Sequence, residues 1–287
     1  MFPPRFDYVA PESLEEALSV LDERGDDAKV MSGGQSLIPL LKLRFASPDV
    51  IVDLNRVPGL DGLEQSNGEL RIGALVRNSA LEDSDLLGGD YQAMADAAPL
   101  ISDPLIRNMG TLVGSLAHCD PAGDWGAVML ALGGEVVAQS SSGERTIPVD
   151  DFLKGPFTTD LAPNEIATEV RVPKPSGSAG SAYRKLERKV GDFATVGAAV
   201  AVEVDGGKVS RAGIGFTVFG PRNVRASAAD ESLFGADPGE EAAATAGNLA
   251  AEAAEPQSDH RGSTEYKRQV VREFVTRGLR QSFEMTA

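Results

Sequence analysis

Apolar side chains recur along the chain with two spacings, one typical of strands and one typical of helices. The stretch "EIATEVRVP" alternates between two sets of positions, which predicts a strand with one buried face. The residues of that face are Ile166, Thr168, Val170 and Val172. The stretch "STEYKRQVVREFVTRGL" places Tyr266, Val270 and Phe274 at helical spacing, which predicts an amphipathic helix. The chain therefore combines strands and helices.

The N-terminal part of the chain has the pattern of a small α/β unit. A capping box at Ser13 opens a predicted helix from Leu14 to about Arg24. The strand "AKVMS", a glycine turn, the helix "LIPLLKLRF" and the strand "DVIVDL" follow in that order. Because proline is tolerated in the first turn of a helix but not later, Pro39 predicts that the second helix is short. We expect residues 1–57 to form an N-terminal α/β subdomain.

The rest of the chain divides at a segment rich in proline, glycine and serine. This segment, "KPSGSAGSA" from Lys174 to Ala182, follows a complete strand and is the predicted linker. Before it, residues 58–175 carry the strands "ELRIGALV" and "EIATEVRVP" and a helix that opens at Ser79. After it, residues 176–287 carry two apolar runs around the "DGG" turn at 205–207, which predict a β-hairpin, and then helices. We expect a second subdomain and a C-terminal α+β domain.

Composition and charge exclude several classes of protein. The 43 acidic and 27 basic residues give a net charge of −16, which disfavours nucleic acid or an anionic membrane as a partner. No stretch is long and apolar enough to predict a membrane span, and the N-terminus lacks the pattern of a signal peptide, so we expect a cytoplasmic protein. One cysteine, Cys119, and two histidines, His118 and His260, do not make up an iron–sulfur or structural zinc site. We expect no metal ligands.

A first cluster of glycines and hydroxyls lies between a predicted strand and a predicted helix. This first glycine loop, Ser32 to Ser36, leaves unpaired amides at a strand-to-helix junction, which favours an anion held by main-chain N–H groups. It lacks the Gly-Lys-Ser/Thr ending of a nucleoside-triphosphate loop and the G-x-G-x-x-G of a dinucleotide-binding Rossmann fold. A tight turn in which Ser36 caps the following helix is the alternative on this stretch alone.

A second cluster of the same composition follows in the middle of the chain. This second glycine loop runs from Arg107 to Ser115, and "DPAGD" from Asp120 to Asp124 comes soon after it. Small residues and hydroxyls allow the backbone to approach a ligand closely. We expect the two loops to face each other and to enclose a long, charged ligand such as a dinucleotide. Arg107 is expected to pair either with a phosphate or with Asp103.

The order of these motifs resembles one family over nearly the whole chain. The matching segments are the opening from Phe6 to Ser13, "SGGQSLIPLLKLR", "RNMGTLVGSLAHCDPAGD", "EIATEVRVP", "YRKLERKVGDFA" and "SDHRGSTEYKR". They resemble the flavin-binding medium subunit of the molybdenum hydroxylases, which includes the medium chain of aerobic carbon monoxide dehydrogenase and the corresponding part of xanthine dehydrogenase. The resemblance implies an α+β chain with a two-subdomain FAD-binding fold of the vanillyl-alcohol-oxidase type, followed by a C-terminal α+β domain with a hairpin-based sheet and helices.

The resemblance also implies which residues bind FAD. In the family, two loops wrap the FAD pyrophosphate, and they correspond here to Ser32, Gly33, Gly34, Gln35 and Ser36, and to Thr111, Leu112, Val113, Gly114 and Ser115. Asp124 matches an acidic residue beside the adenosine half, and Ala167 matches a position that brackets the adenine. Lys185 or the adjacent Arg184 matches a cation that closes over the flavin half, and Phe193 matches an aromatic residue near the isoalloxazine.

Two positions of the second glycine loop depart from the family pattern. Val113 stands where the family has glycine, so that its amide is reachable only if the local φ is negative, and Ser115 replaces an asparagine. No constellation of acid–base side chains for a substrate of the chain's own is visible. Cys119 is expected to be a packed thiol, because no base or resolving cysteine accompanies it.

The function that the resemblance implies is an FAD-dependent dehydrogenase subunit without catalytic residues of its own. Electrons would come from a [2Fe–2S] small subunit, fed by a large subunit with the molybdenum cofactor, and would leave to quinone, NAD or oxygen. The alternatives are a self-sufficient FAD-dependent oxidoreductase and a cofactor-free scaffold. The sequence also predicts that the basic residues between Tyr183 and Phe193 form a docking or flavin-stabilising surface or simply a solvated one.

Overall fold

The structure, a computed structural model, describes residues 2–218, 220 and 223–287. Its first part is built around a parallel sheet in the order β1-β3-β2. The elements are β1 Asp7–Val9, α1 Leu14–Arg24, β2 Ala28–Met31, α2 Leu37–Leu43 and β3 Val50–Asp53. Parallel strands require a crossover between them, and α2 supplies the one from β2 to β3. The first glycine loop therefore lies at the carboxyl end of β2.

The second part is an antiparallel sheet with short helices. The strands pair in the order β4-β5-β10-β6-β7. The elements are β4 Leu63–Ser66, β5 Glu69–Gly73, α3 Asn78–Glu82, α4 Gln92–Ala97, α5 Pro104–Arg107, α6 Leu112–His118, α7 Asp124–Leu132, β6 Glu135–Ser140, β7 Gly143–Pro148, α8 Val149–Phe152, β8 Leu153–Gly155, β9 Thr158–Thr159 and β10 Ile166–Pro173. The second glycine loop connects α5 to α6 and continues through about the first turn of α6.

The third part is a four-stranded antiparallel sheet, β11-β12-β13-β14, covered by helices. The elements are β11 Ser178–Leu186, β12 Val196–Asp205, β13 Lys208–Val218, β14 Val224–Arg225, α9 Ser227–Leu233, α10 Glu240–Ala253 and α11 Thr264–Met285. Helix α11 packs on β11 and β12. These elements share a core of their own, which includes Val200, Phe216, Val271 and Leu279.

Helix α7 joins the second part to the third. All nine of its residues are buried, and it packs on β12 and β13. At Gly213 a side-chain Cβ would overlap the carbonyl oxygen of Ala131, and at Gly215 it would overlap that of Ala127. Glycine at these two positions lets the helix backbone lie directly on the strand. The helix is thus held between two sheets, with its first residue, Asp124, between them.

Several predictions from the local pattern are confirmed. The hydroxyl of Ser13 accepts a hydrogen bond from the amide of Glu16 and so caps α1. Helix α2 ends at Leu43 after seven residues, as Pro39 predicted. Strands β12 and β13 form the predicted hairpin, with positive φ angles at both turn glycines. The local chemistry of caps and turns is sufficient to place these elements.

Other predictions are wrong in detail. Half of the expected linker is strand, because Ser178 to Ala182 pair with β12. Helix α3 begins at Asn78, one residue before the predicted start. The fully buried face of α11 includes Lys267, Val271, Val275 and Leu279, while the predicted Val270 and Phe274 pack against the same core partly buried and Tyr266 is exposed. No helix among residues 2–218, 220 and 223–287 is long and apolar enough to cross a membrane.

Candidate functional site

The first glycine loop turns sharply out of β2 and presents its last three amides without partners. Gly34 has φ +71°, a conformation that favours glycine, and a Cβ there would lie 2.9 Å from Cδ1 of Ile38. The side chain of Ser36 makes no capping hydrogen bond, so that part of the tight-turn alternative is wrong. Within the described part of the chain, no oxygen accepts a hydrogen bond from the amides of Gly34, Gln35 or Ser36. Three successive backbone donors are available to a ligand.

The second glycine loop ends in a capped helix. The hydroxyl of Thr111 accepts a hydrogen bond from the amide of Gly114 at 3.0 Å, which satisfies the third amide of α6. The amide of Leu112 faces the carbonyl oxygen of Val76 in the isolated antiparallel bridge between Arg77 and Thr111, whereas that of Val113 has no acceptor within a helix. Val113 is helical with a buried side chain, so its φ is negative and the valine does not turn its amide away. The departure from glycine at this position is thus compatible with the loop.

The two glycine loops face each other, as the sequence predicted. The hydroxyls of Ser32 and Thr111 lie 2.8 Å apart across the gap. A Cβ on Gly33 would overlap the carbonyl oxygen of Met109, and a Cβ on Gly114 would lie 3.1 Å from the hydroxyl of Ser32. The loops therefore touch through backbone, and the glycines are what permits the contact.

Asp124 and Lys185 form a buried ion pair. Nζ of Lys185 donates to Oδ2 of Asp124 at 2.9 Å and to the carbonyl oxygen of Leu100 at 2.8 Å. The hydroxyl of Tyr183 donates to the other carboxylate oxygen of Asp124. Burial raises the pKa of Asp124, while the ammonium of Lys185 opposes that shift. Because the two groups are in direct contact, a ligand would meet them as one pair, and their separate roles toward the adenosine and flavin halves stay predictions.

The remaining predicted residues lie on different elements. Ala167 is buried on β10, beside the irregularity where pairing with β6 shifts by one residue. Phe193 is 53% exposed in the loop between β11 and β12. Gly191 of that loop has φ +83° and lies against the carbonyl oxygen of Ser102, so the loop contacts the second part of the chain. Among the described residues, none forms an aromatic ring contact with Phe193, so its ring is available to a ligand or a partner.

The cations named in the sequence analysis have mostly internal partners. Arg107 pairs with Glu82, at 2.6 Å between Nε and Oε2, and not with Asp103 or an open phosphate site. Asp103 instead caps α5 by accepting from the amide of Ile106. Arg184 donates to Gln281, so of the basic segment only Arg188 and Lys189 lie exposed. The basic surface is half the size that the sequence suggested.

Four residues near the loops were missed by the sequence analysis. Asp53 ends β3, Asn55 follows it, and Arg77 precedes α3. They and Tyr8 make a hydrogen-bonded chain that reaches both loops. The short polar residues at the carboxyl end of a parallel strand were a usable signal, because ligands bind at that edge of a sheet. The sequence around Arg77 does not indicate that this residue lies near the loops.

These observations fit FAD as the bound group. A pyrophosphate needs several convergent donors and close approach of the backbone. The open amides of the first glycine loop and the leading end of α6 supply the donors, and Gly33 and Gly114 let the two loops approach each other through their backbones. No group of three metal-ligating side chains occurs among the residues that the structure describes.

Comparisons with known proteins identify the family. Residues 4–175 match the model of the FAD binding domain in molybdopterin dehydrogenase, and residues 181–282 match that of the CO dehydrogenase flavoprotein C-terminal domain. The carbon monoxide dehydrogenase medium chain of Hydrogenophaga pseudoflava is 39% identical over 97% of both chains. Subunit alpha of the 6-hydroxypseudooxynicotine dehydrogenase complex of Paenarthrobacter nicotinovorans is 41% identical over 97% of this chain and 95% of its own.

More distant relatives and solved structures agree. The glyceraldehyde dehydrogenase medium chain of Sulfolobus acidocaldarius is 35% identical over 98% of this chain and 99% of its own. A chain in the solved structure of carbon monoxide dehydrogenase from Hydrogenophaga pseudoflava superposes with a TM-score of 0.95, at 40% identity and full coverage of both chains. The protein therefore belongs to the family of FAD-binding medium subunits of the molybdenum hydroxylases, which are FAD-containing oxidoreductase components.

Proposed function

We propose that this chain is the electron-transfer subunit of a heteromeric molybdenum hydroxylase. Electrons reach it from a [2Fe–2S] small subunit and leave to an external acceptor, which is a quinone, NAD or oxygen. A large subunit with the molybdenum cofactor oxidises the substrate. FAD supplies the redox chemistry when bound, because a flavin exchanges electrons singly or in pairs, and the protein supplies its position.

The chemical spread of the relatives is the observation that carries this proposal. Chains between 35% and 41% identical to this one belong to dehydrogenases named for carbon monoxide, 6-hydroxypseudooxynicotine and glyceraldehyde. A diatomic gas, a nicotine derivative and a small aldehyde share no recognition chemistry, and discrimination between substrates requires tailored contacts. One common scaffold is therefore suited to a step that all three reactions share, which is the disposal of electrons.

The FAD pyrophosphate is proposed to lie between the two glycine loops. The amides of Gly34, Gln35 and Ser36 donate from one side, and that of Val113 from the other. Ser32, Gly33, Thr111, Leu112, Gly114 and Ser115 complete the two loops. The support is the set of donors without acceptors and the backbone contact between the loops. The contacts of Asp124, Ala167, Lys185 and Phe193 with FAD stay predictions, with Asp124 and Lys185 now acting as one pair.

The isolated chain provides the test. The purified protein should show the visible absorbance of a flavin, and acid precipitation should release that flavin, because we expect the two loops to hold it without a covalent bond. Dithionite should bleach it, and a quinone or dye should restore its colour. Carbon monoxide, an aldehyde, a purine and an N-heterocycle should each give no turnover until the iron–sulfur and molybdenum chains are added.

Two results would contradict the proposal in different ways. Substrate turnover by this chain alone would make it a self-sufficient oxidoreductase. A colourless chain that does not take up FAD would make it a scaffold. The acceptor is identified in the assembled complex by comparing reoxidation of the flavin with quinone, NAD and oxygen.

A further inference from the structure

Two side chains bridge the glycine loops from outside the gap. Nδ2 of Asn55 donates to the carbonyl oxygen of Ser32, in the first loop, at 2.9 Å. Nη1 of Arg77 donates to the carbonyl oxygen of Met109, in the second loop, at 2.6 Å. Nη2 of Arg77 donates to Oδ1 of Asn55, which closes the bridge. A continuous path of hydrogen bonds thus links the two loops through these side chains.

The bridge is itself held in one orientation. Oδ1 of Asp53 accepts from both the backbone amide and Nδ2 of Asn55, at 3.0 and 2.5 Å. Oδ2 of Asp53 accepts from the hydroxyl of Tyr8 at 2.6 Å. The side-chain N–H groups of Asn55 donate to the carboxylate of Asp53 and to the carbonyl oxygen of Ser32. The amide oxygen of Asn55 is therefore left to face Arg77. Asp53 is 8% exposed at the end of β3, so the bridge is anchored to the parallel sheet.

The second loop is fixed on both sides of Gly110. The guanidinium of Arg77 holds the carbonyl oxygen of Met109, and the backbone amide of Asn78 holds that of Gly110 at 2.8 Å. Indole Nε1 of Trp125 donates to the side-chain oxygen of Asn78 at 3.0 Å, which anchors this arm in the core. Successive peptide planes held in this way determine where the next amides point, and those belong to Thr111 and α6.

The guanidinium of Arg77 acts more through the geometry of its hydrogen bonds than through pairing with an opposite charge. Its two hydrogen bonds go to neutral oxygens, a main-chain carbonyl and a side-chain amide. Burial lowers the pKa of Arg77 and the nearby carboxylate of Asp53 raises it, yet an arginine stays charged. The planar fork reaches both acceptors at once, whereas a lysine at this position would keep the charge and reach only one.

We infer that Arg77, through Asn55, is a positioning residue that sets the spacing of the two glycine loops for FAD. The inference rests on the proposed placement of the pyrophosphate between these loops. Removing either side chain lets Met109 and Ser32 move apart, and the open amides then no longer converge. Pre-set donors bind more tightly than donors that must be ordered by the ligand, so the effect falls on FAD affinity.

The test measures FAD binding by the full chain after reversible removal of its flavin. Wild type, Arg77→Ala, Arg77→Lys, Asn55→Ala and the double Ala variant are titrated with FAD, and flavin fluorescence and visible circular dichroism are followed. The control is Arg71→Ala, which removes a part-buried arginine that pairs with Glu169 and touches neither loop. Each flavin-free variant is also unfolded thermally.

We expect Arg77→Ala and Asn55→Ala each to weaken FAD binding about tenfold, as the loss of one directed hydrogen bond does. The double variant should bind FAD no more weakly than the weaker-binding of the two single variants, because both side chains belong to one bridge. Arg77→Lys should resemble Arg77→Ala, since it restores charge but not the fork. Arg71→Ala should bind FAD like wild type.

Four outcomes would overturn the inference. They are wild-type affinity in Arg77→Ala, full rescue by Arg77→Lys, additive losses in the double variant, and equal loss of FAD in Arg71→Ala through general destabilisation. The placement of the pyrophosphate is judged separately by Gly34→Val. If that variant binds FAD normally the loop site itself is wrong, and if it does not while Arg77→Ala does, only the bridge is wrong.

Discussion

The ammonium of Lys185 and the carboxylate of Asp124 lie 2.9 Å apart, with 2% and 9% of their side chains exposed. Lys185 comes from the C-terminal sheet and Asp124 from the first turn of α7, so the pair links the second and third parts of the chain. Glu187 lies 3.5 Å from the same ammonium. A pair that is so well buried is costly to break from one side only.

Lys185→Met should therefore destabilise the protein by about 3–5 kcal/mol, because it leaves the carboxylate of Asp124 buried without a counter-ion. Denaturant unfolding measures this loss. Adding Asp124→Leu to the same chain should recover part of it. The matched control is Lys208→Met, whose pair with Asp237 is exposed and should change stability by about 1 kcal/mol or less. Equal losses in the two lysine variants would contradict the prediction.

Gly34→Val should abolish FAD binding while the chain remains folded. Valine resists the φ of +71°, and its side chain would meet Ile38 and Met31. Gly59→Val is the control, since it has φ +80° and open space around it, so it carries the same backbone strain away from the loops. Flavin content and far-UV circular dichroism decide the matter. Loss of flavin in both variants would mean that backbone strain, and not the position of Gly34 in the binding loop, causes the loss.

The carboxyl of Asp230 should make the free energy of unfolding fall as the pH rises. Burial raises its pKa from 3.8 to about 6, with Arg225 opposing the shift and Asp150 adding to it. Well below pH 3.8 the carboxyl is neutral in both states. As pH rises from 3.8 to 6 the unfolded chain ionises while the folded protein keeps the proton, and above 6 the folded protein must bury a charge that the unfolded chain solvates freely. The loss between these limits is about 2–3 kcal/mol.

Unfolding free energies of wild type and Asp230→Asn between pH 4 and 7 measure this effect. The difference between them should move in favour of the asparagine variant as pH rises, since asparagine does not titrate. Asp237→Asn, at an 83% exposed side chain, should leave the pH profile of wild type unchanged. A difference in unfolding free energy between wild type and Asp230→Asn that stays constant with pH would contradict the raised pKa of Asp230.

Arg188 and Lys189 are the exposed cations of the β11–β12 loop, next to Val190 and Phe193, whose side chains are 95% and 53% exposed. We expect reversal of both to glutamate to weaken association with the iron–sulfur subunit about tenfold, and more so at low salt. Arg24→Glu with Lys42→Glu changes the net charge equally at exposed sites elsewhere. Sedimentation or titration of the complex compares them, and unchanged assembly would leave the loop a solvated surface.

The sequence predicted those parts of the site that have a local chemical signature. Glycines with hydroxyls at a strand end are local, so the two loops and their facing arrangement were accessible from the chain alone. The bridge through Asn55 and Arg77 was not, because side chains that meet across the fold leave no periodic trace. The ion pair of Asp124 and Lys185 was missed for the same reason, since each residue had a separate role by resemblance.

The fold shows the same division. Serine, glycine and alanine in "SGSAGSA" are typical of a flexible connection, yet pairing along the whole of β12 makes most of that stretch a strand. On α11 lysine is by residue type a surface side chain, but the aliphatic stem of Lys267 is buried and its ammonium reaches Gln257 and Asp259 at 2.7 and 2.9 Å. Local preference is overruled in both places by tertiary contacts.

Helix α11 completes the C-terminal sheet, but it is the last of the described elements to be synthesised. It covers β11 and β12, and those strands leave the ribosome well before Thr264 does. During that interval their apolar face has no cover, which exposes side chains such as Val200 to other nascent chains and to chaperones. The N-terminal parallel sheet, by contrast, has all of its strands by Asp53 and can begin to fold early. Production of intact subunit should therefore depend most on how quickly translation passes through the last helix.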